Sequence, residues 1–251
     1  MNLDPIINAL AIPREALVEQ RVPKKLLMEQ GAPTTADKRQ IQEGIEEMFW
    51  VAALKPNNIG VPAFRDGVRE YLEIAVLSVV LRAKAKLPRL TELIHRAIPY
   101  PVVLVTAHSG TANLSLAHKR WSQGEAGKVV IEGVRQVPLS PDSPSTEEAA
   151  FLSSLAVSLL PAADLFTMYE GILSLVISLE AAKITGSFRH PASGEQVSAT
   201  REGIDRHTQL KRDIAFLRAR AQKEKQLNRR VELNLEIQRL ENQLKEVIPN
   251  L

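Results

Sequence analysis

Two acidic residues and one lysine are the strongest candidates for chemistry in this chain. Glu70 and Glu73 begin a predicted strand, and Lys119 lies in another. A metal-dependent nuclease of the restriction type needs two strand-borne acids and a lysine two residues after the second acid, to hold magnesium and orient water. Ala117 stands two residues before Lys119, so the second acid is missing. We interpret Glu73 and Lys119 as a polar core site, either a structural ion pair or a rebuilt nuclease-like core.

The other arrangements that could do chemistry are incomplete. Gly127-Lys128 has Ser122 where the first glycine of a phosphate-binding loop belongs. Ser109 lacks the flanking glycine of a nucleophile elbow. The chain has no cysteine, which excludes thiol chemistry, and no two histidines have the spacing of ligands on a helix. We therefore predict no catalytic residue, cofactor or metal. The histidines are His95, His108, His118, His190 and His207.

Basic residues are concentrated in one segment near the C-terminus. Between Arg206 and Arg230 the only acids are Asp213 and Glu224. Such a run suits phosphates or an acidic protein surface, although it can also be a solvated helix face. Phe216 is the only aromatic side chain of the Phe, Tyr or Trp type there, so base stacking has little support and an acidic protein surface is slightly favoured. The candidate partner- or DNA-binding residues are Arg218, Arg220, Lys223, Lys225, Arg229 and Arg230.

Apolar residues in the same segment follow the spacing of a coiled-coil seam. Two groups repeat at alternating intervals of three and four residues, as the a and d positions of a heptad do. Between them the pattern loses register, because Leu227, Val231 and Leu235 recur every four residues and drift around the helix. The break is interpreted as a stutter, a recognition patch or a point where two helices diverge. The seam residues are Leu210, Ile214, Leu217, Ala221, Ile237, Leu240, Leu244 and Val247.

The element that carries these residues is a long helix, predicted over residues 201–248. No proline or glycine interrupts Ile204 to Val247, Thr200 is the expected N-cap, and Pro249 ends the helix. Such a rod would be about 66 Å long. Because so long and polar a helix cannot bury itself, it indicates interaction rather than catalysis. The pattern leaves open whether the rod is continuous or folded back.

The rest of the chain is predicted to form an α/β domain over residues 1–140 and a helical pair over residues 145–186. Pro161 splits the pair, which packs on the core, and residues 187–200 form a loop. The expected fold class is α+β, with a small mixed sheet and covering helices, then a helical region and a long coiled-coil-like C-terminal helix. The predicted helices are Thr35–Leu54 and Leu87–Ala97, and the strands are Glu70–Arg82, Val102–Ala107, Asn113–Trp121 and Lys128–Val137.

Composition sets the outer limits. The 251 residues are 45 % hydrophobic with a net charge of +3, enough for one good core and an extension or for two small domains. The lack of cysteine fits a reducing cytoplasm. The apolar stretch Ala149–Ile184 is broken by Pro161 and Asp164, so we expect a buried helical pair and no membrane span.

Several short segments, in order along nearly the whole chain, resemble a known bacterial family. The longest is Glu224–Asn234, and the others are Arg21–Lys25, Glu46–Trp50, Ala97–Pro101 and His118-Lys119. On these residues the chain resembles domain-of-unknown-function family 4391. The resemblance implies an accessory protein of anti-phage gene clusters, beside superfamily 2 helicases and DNA methyltransferases. The family name itself implies no activity.

We therefore expect a non-catalytic accessory or scaffold subunit of a defence complex in the cytoplasm. It would dock a superfamily 2 helicase or a DNA methyltransferase, and its basic helix would be available to contact DNA. The alternatives are a metal-dependent nuclease subunit of the same kind of system and a simple coiled-coil homodimer.

Overall fold

A computed structural model describes residues 2–124, 129–191 and 193–251. The chain divides into two compact units, Met1–Val176 and Ile177–Leu251. The strands are β1 Leu17–Arg21, β2 Ile45–Leu54, β3 Phe64–Arg65, β4 Glu70–Tyr71, β5 Ile74–Leu81, β6 Val102–His108, β7 Thr111–Trp121 and β8 Val129–Leu139. The α-helices are α1 Asp4–Ala9, α2 Lys24–Gln30, α3 Thr35–Gly44, α4 Pro56–Ile59, α5 Leu87–Ala97, α6 Thr146–Ser154, α7 Leu165–Thr185, α8 Gly194–Lys223 and α9 Leu227–Val247.

A six-stranded mixed sheet organises the first unit. Its strand order is β1-β2-β5-β6-β7-β8, and β3 pairs with β4 in a separate two-stranded ribbon. Only β5 and β6 are parallel, because α5 connects them as a crossover, while all the other neighbours in the sheet are antiparallel. Together with the helices this confirms the predicted α+β class.

Three helices cover one face of the sheet. Alternate residues of β5 and β6, such as Leu77 and Leu104, pack with α2, α3 and α5 in one apolar core. The guanidinium of Arg89 on α5 reaches both carboxylate oxygens of Asp37 on α3, at 2.8 and 2.9 Å. This contact lowers the pKa of Asp37 to about 2, so the two helices are also joined by an ion pair.

The opposite face carries the start of α7. Val76 of β5 and Val105 of β6 alternate with Leu77 and Leu104 along their strands, so they lie on the opposite face of the sheet. They are also buried, as expected of strands covered on both sides. The Tyr169 hydroxyl donates to the carbonyl of Val102 at 2.8 Å and accepts from the N–H of Ala117 at 2.9 Å. It therefore bridges β6 and β7 just past Leu104 and Ser115, where their ladder ends.

The predicted helix Thr35–Leu54 is wrong in its second half. The helix α3 ends at Gly44, and β2 continues from Ile45 to Leu54. The apolar residues of this segment fit a helical period, but β2 pairs with both β1 and β5, and this long-range pairing determines its conformation. The predicted strand Glu70–Arg82 likewise divides into β4 and β5. The predicted helix Leu87–Ala97 is confirmed.

The second unit contains a helical hairpin. The chain is helical over most of the predicted rod, but the rod is not one continuous helix. Glu224 and Gln226 are extended, with ψ near 120°, and they separate α8 from α9. Arg206 bonds to Gln243 and Arg218 to Glu241, so the two helices run antiparallel. The N-cap is Ser193 rather than Thr200, because the Ser193 hydroxyl accepts from the N–H of Gln196.

The helix α7 is long and apolar enough to cross a membrane, with a mean hydropathy of 1.4. In the structure 61 % of the most apolar stretch of this helix is buried by protein. Buried core helices of soluble proteins share this composition, in agreement with the expected buried helical pair.

We predict that Tyr169→Phe lowers the free energy of unfolding by about 2 kcal/mol or more, because buried backbone groups of Val102 and Ala117 lose their partner. Urea unfolding measures this change. Tyr71→Phe is the matched control, since Tyr71 is equally buried but its hydroxyl lies against His118 and the backbone of Lys119, both on β7, and so does not join β7 to β6. Equal losses in the two variants would contradict the bridging role.

Candidate functional site

The predicted seam residues meet one another inside the hairpin. Leu210, Ile214 and Ala221 of α8 form one buried cluster with Ile237 and Leu240 of α9. The remaining three seam residues, Leu217, Leu244 and Val247, are partly buried against the same cluster. The two seams are therefore partners within one chain, because the turn at residues 224–226 brings α9 back along α8.

The six basic candidates surround that turn. Arg218, Arg220 and Lys223 lie at the end of α8, Lys225 lies in the turn, and Arg229 and Arg230 lie at the start of α9. All six are exposed. Arg218 pairs with Glu241 at 2.6 Å, and the guanidinium of Arg220 lies 5.7 Å from the centre of the Phe216 ring. We call residues 218–230 the basic turn.

The three apolar residues that depart from the heptad spacing of the seam lie on the outer side of α9. Leu227, Val231 and Leu235 are 64 %, 48 % and 61 % exposed, whereas Ile237 and Leu240 are buried. Since successive helix residues are rotated by about 100°, the three form a stripe opposite the packed face. We call Leu227, Val231 and Leu235 the outer stripe.

Lys119 does not contact Glu73. Its ammonium donates to the carbonyl oxygens of His95, at 2.7 Å, and Ile98, at the C-terminal end of α5. Burial lowers the pKa of Lys119 to about 7. It also lowers the pKa of the adjacent His95 to about 3, with a further contribution from the charge of Lys119. Lys119 therefore satisfies helix-end carbonyls.

The acids of the nuclease hypothesis are paired elsewhere. The carboxylate of Glu73 lies 3.1 Å from the ammonium of Lys55, and Glu70 pairs with Arg65. Among the described residues, no group of three or more His, Asp or Glu side chains could hold a metal ion. A pocket of about 200 Å³ beside Lys119 is lined by Glu70, Tyr100 and Trp121, among others. The Gly127-Lys128 pair lies outside the described residues.

A row of polar side chains in the first unit was not predicted from the sequence. The Tyr71 hydroxyl lies 2.5 Å from Nδ1 of His118, and Nε2 of His118 lies 2.7 Å from a carboxylate oxygen of Glu170. The second contact is close but poorly aligned for a hydrogen bond. The rings of Tyr71, His118, Phe166 and Tyr169 pack together around it. Burial raises the pKa of Tyr71, so its phenol stays protonated.

No sequence signal could have found this row, since Tyr71 and His118 are 47 residues apart. Burial of Tyr71 and His118 leaves little access for a substrate. The outer stripe and the basic turn are exposed, and they are therefore the candidate functional surfaces.

Comparison with protein-family models gives a match over nearly the whole chain. The family model described as "Domain of unknown function (DUF4391)" matches residues 10–244. Neither a curated protein nor a solved structure matches the chain.

We predict that Ile214→Lys unfolds the hairpin at a lower temperature and costs about 3 kcal/mol or more, because it places a charge in the packed seam. Phe216→Lys is the matched control, since it lies two residues away on the same helix. Ile214 is 5 % exposed and Phe216 is 63 % exposed. Thermal unfolding followed by helical circular dichroism should shift only in the first variant, and equal shifts would contradict the seam packing.

Lys119 should make stability depend on pH. Because its pKa is about 7 in the folded protein against an ordinary 10.5, the unfolded chain binds more protons between these values, and stability rises with pH across that range. Lys119→Met should remove this rise, on the order of a few kcal/mol between pH 7 and 10. Urea unfolding at several pH values measures it. Lys25→Met, at a lysine whose side chain is 79 % exposed, should retain the rise. Parallel curves for the wild type and Lys119→Met would contradict the role of Lys119.

Proposed function

Since the chain belongs to the DUF4391 family, whose description names no activity, we propose a function from its exposed surfaces: an accessory subunit that docks a protein partner through the outer stripe of α9. Following the family resemblance, the partner is a superfamily 2 helicase or a DNA methyltransferase of a bacterial anti-phage complex in the cytoplasm.

One observation carries this proposal: from Leu227 to Asn242 the outer face of α9 is uncharged, although it lies opposite the face that is packed in the hairpin. Ile237 and Leu240 fill the inner face. The outer stripe continues along the same side with Asn234, Gln238 and Asn242, all exposed and uncharged. A helix that only closed a hairpin would present charged residues on its outer side.

The outer stripe has the form of a known docking mode. Apolar residues at spacings of four anchor an amphipathic helix in the groove of a partner. Burying Leu227, Val231 and Leu235 would contribute about 1.5–3 kcal/mol for each side chain. Charged residues border the stripe, with Arg230 and Glu241 on one side and Glu232 and Arg239 on the other. A polar rim around an apolar centre is typical of protein interfaces.

The test is co-purification of the chain with a superfamily 2 helicase and with a DNA methyltransferase of the kind that the family resemblance implies. Leu235→Asp should reduce recovery of the partner at least tenfold, because it places a carboxylate in the apolar stripe. Phe216→Asp is the matched control, since Phe216 is 63 % and Leu235 61 % exposed, but Phe216 lies on the other helix.

Equal recovery with both variants would contradict docking on the outer stripe. Failure of the wild-type chain to bind either protein would contradict the partner assignment. Sedimentation distinguishes the homodimer alternative, which predicts a concentration-dependent doubling of mass that Leu235→Asp abolishes.

A further inference from the structure

The basic turn concentrates charge that the rest of the chain does not carry. Residues 218–230 contain six basic residues and one acid, a formal charge of +5, whereas the whole chain carries +3. The remainder is therefore slightly negative. In the part of the chain that the structure describes, Arg218 is the only one of the six in an ion pair. The other five cations are exposed.

At the end of α8, Arg220 and Lys223 have the charge that the helix dipole favours, and Arg218 pairs with Glu241 on α9, but the cations at the start of α9 do not serve the stability of the hairpin. Arg229 is the third residue of α9, whose first turn has no acid and no side-chain cap. Positive charge at the start of a helix is unfavourable by about 0.3–1 kcal/mol. Repulsion among cations that the turn brings together adds to this cost. An anionic ligand would offset both of these unfavourable electrostatic contributions.

The composition of the basic turn indicates which anion it fits. Only Leu227, Ala219 and Ala221 are apolar there, and Ala221 is already buried in the seam. This leaves little to form the apolar centre of a protein interface. Phe216 lies beside Arg220, and no other aromatic ring is within the turn, so stacking on unpaired bases has little support. Flexible cations without apolar or aromatic partners suit the phosphates of a duplex, which carry no sequence information.

The dimensions agree with such a ligand. Two packed helices, each about 10 Å across, present their cations over roughly 20 Å. B-form DNA carries one charge for every 1.7 Å or so, hence about a dozen phosphates over that length. Both helices and the turn between them could contact phosphates at once.

We propose that the basic turn binds the phosphate backbone of double-stranded nucleic acid without sequence specificity. The cations of this site are not members of the outer stripe, although Leu227 lies within the basic turn and Arg230 borders the stripe, and the proposal does not depend on the proposed protein docking. The chain would hold its partner protein on α9 and contact nucleic acid at the end of the same hairpin.

The test compares two double variants with the same change in charge. Lys225→Glu/Arg229→Glu alters the basic turn, and Lys211→Glu/Arg212→Glu alters exposed cations earlier on α8. Fluorescence anisotropy measures binding to a DNA duplex and to an RNA duplex of two sequences each, over a range of salt concentrations. A glutamate homopolymer serves as the acidic-protein probe.

The wild type should bind both sequences of a duplex equally and lose affinity as salt rises. Lys225→Glu/Arg229→Glu should weaken binding at least tenfold and reduce the slope of log K against log salt by about two, from two lost phosphate contacts. The control should retain the wild-type slope. The ratio of DNA to RNA affinity identifies the natural duplex.

A second measurement separates binding from folding. Because an acid at the third helical position is favourable, Lys225→Glu/Arg229→Glu should unfold at the same or a higher temperature than the wild type. Loss of binding with a lowered unfolding temperature would overturn the proposal, as would equal weakening by the two variants or no duplex binding by the wild type. Binding of the glutamate polymer alone would identify an acidic protein surface instead.

Discussion

The first unit depends on how β7 is held after it separates from β6. Their backbone ladder ends at Leu104 and Ser115, and beyond it the Tyr169 hydroxyl supplies the bridge. From there two successive side chains of β7 point to opposite buried faces. His118 contacts Tyr71 on the face of α7, and Lys119 reaches the end of α5. Buried polar groups are costly unless they are paired, so these contacts hold the strand where its ladder with β6 has ended, while β8 pairs with its other edge as far as Trp121.

The two units use polar residues in opposite ways. In the first, His95, His118 and Lys119 are buried and their contacts are internal. In the second, charged residues lie at the surface and the apolar seam closes the hairpin. A hairpin closed by its own seam leaves the outer side of α9 and the turn available. Our proposals therefore place binding on the second unit. Among the described residues, no group of three or more His, Asp or Glu side chains could hold a metal ion.

The sequence predicts elements whose signals are local. The helix Leu87–Ala97 is an example. The sequence also identifies the seam, since heptad spacing is visible without a structure. It fails where distant residues decide. The strand β2 has a helical period but two strand neighbours. Lys119 has no acid near it in sequence, and its partners are backbone carbonyl oxygens. Because every residue has a backbone carbonyl, the sequence cannot identify these partners. The lost register at Leu227 is compatible with a stutter, a recognition patch or a divergence of helices, and it leaves open whether the chain folds back there.

The edge of the sheet at β1 shows how the fold limits self-assembly. An exposed edge strand offers unpaired N–H and C=O groups to other chains, a common route to cross-β aggregates. All five residues of β1 are exposed, including Leu17 and Val18. However, Glu19 has a left-handed backbone with φ of 51°, at the irregularity between Leu17 and Gln20 in the pairing with β2. The outer rim is therefore kinked in its middle, and an incoming strand could not form a continuous ladder along it. Concentrated solutions of the folded protein should for this reason resist fibril formation despite the apolar edge.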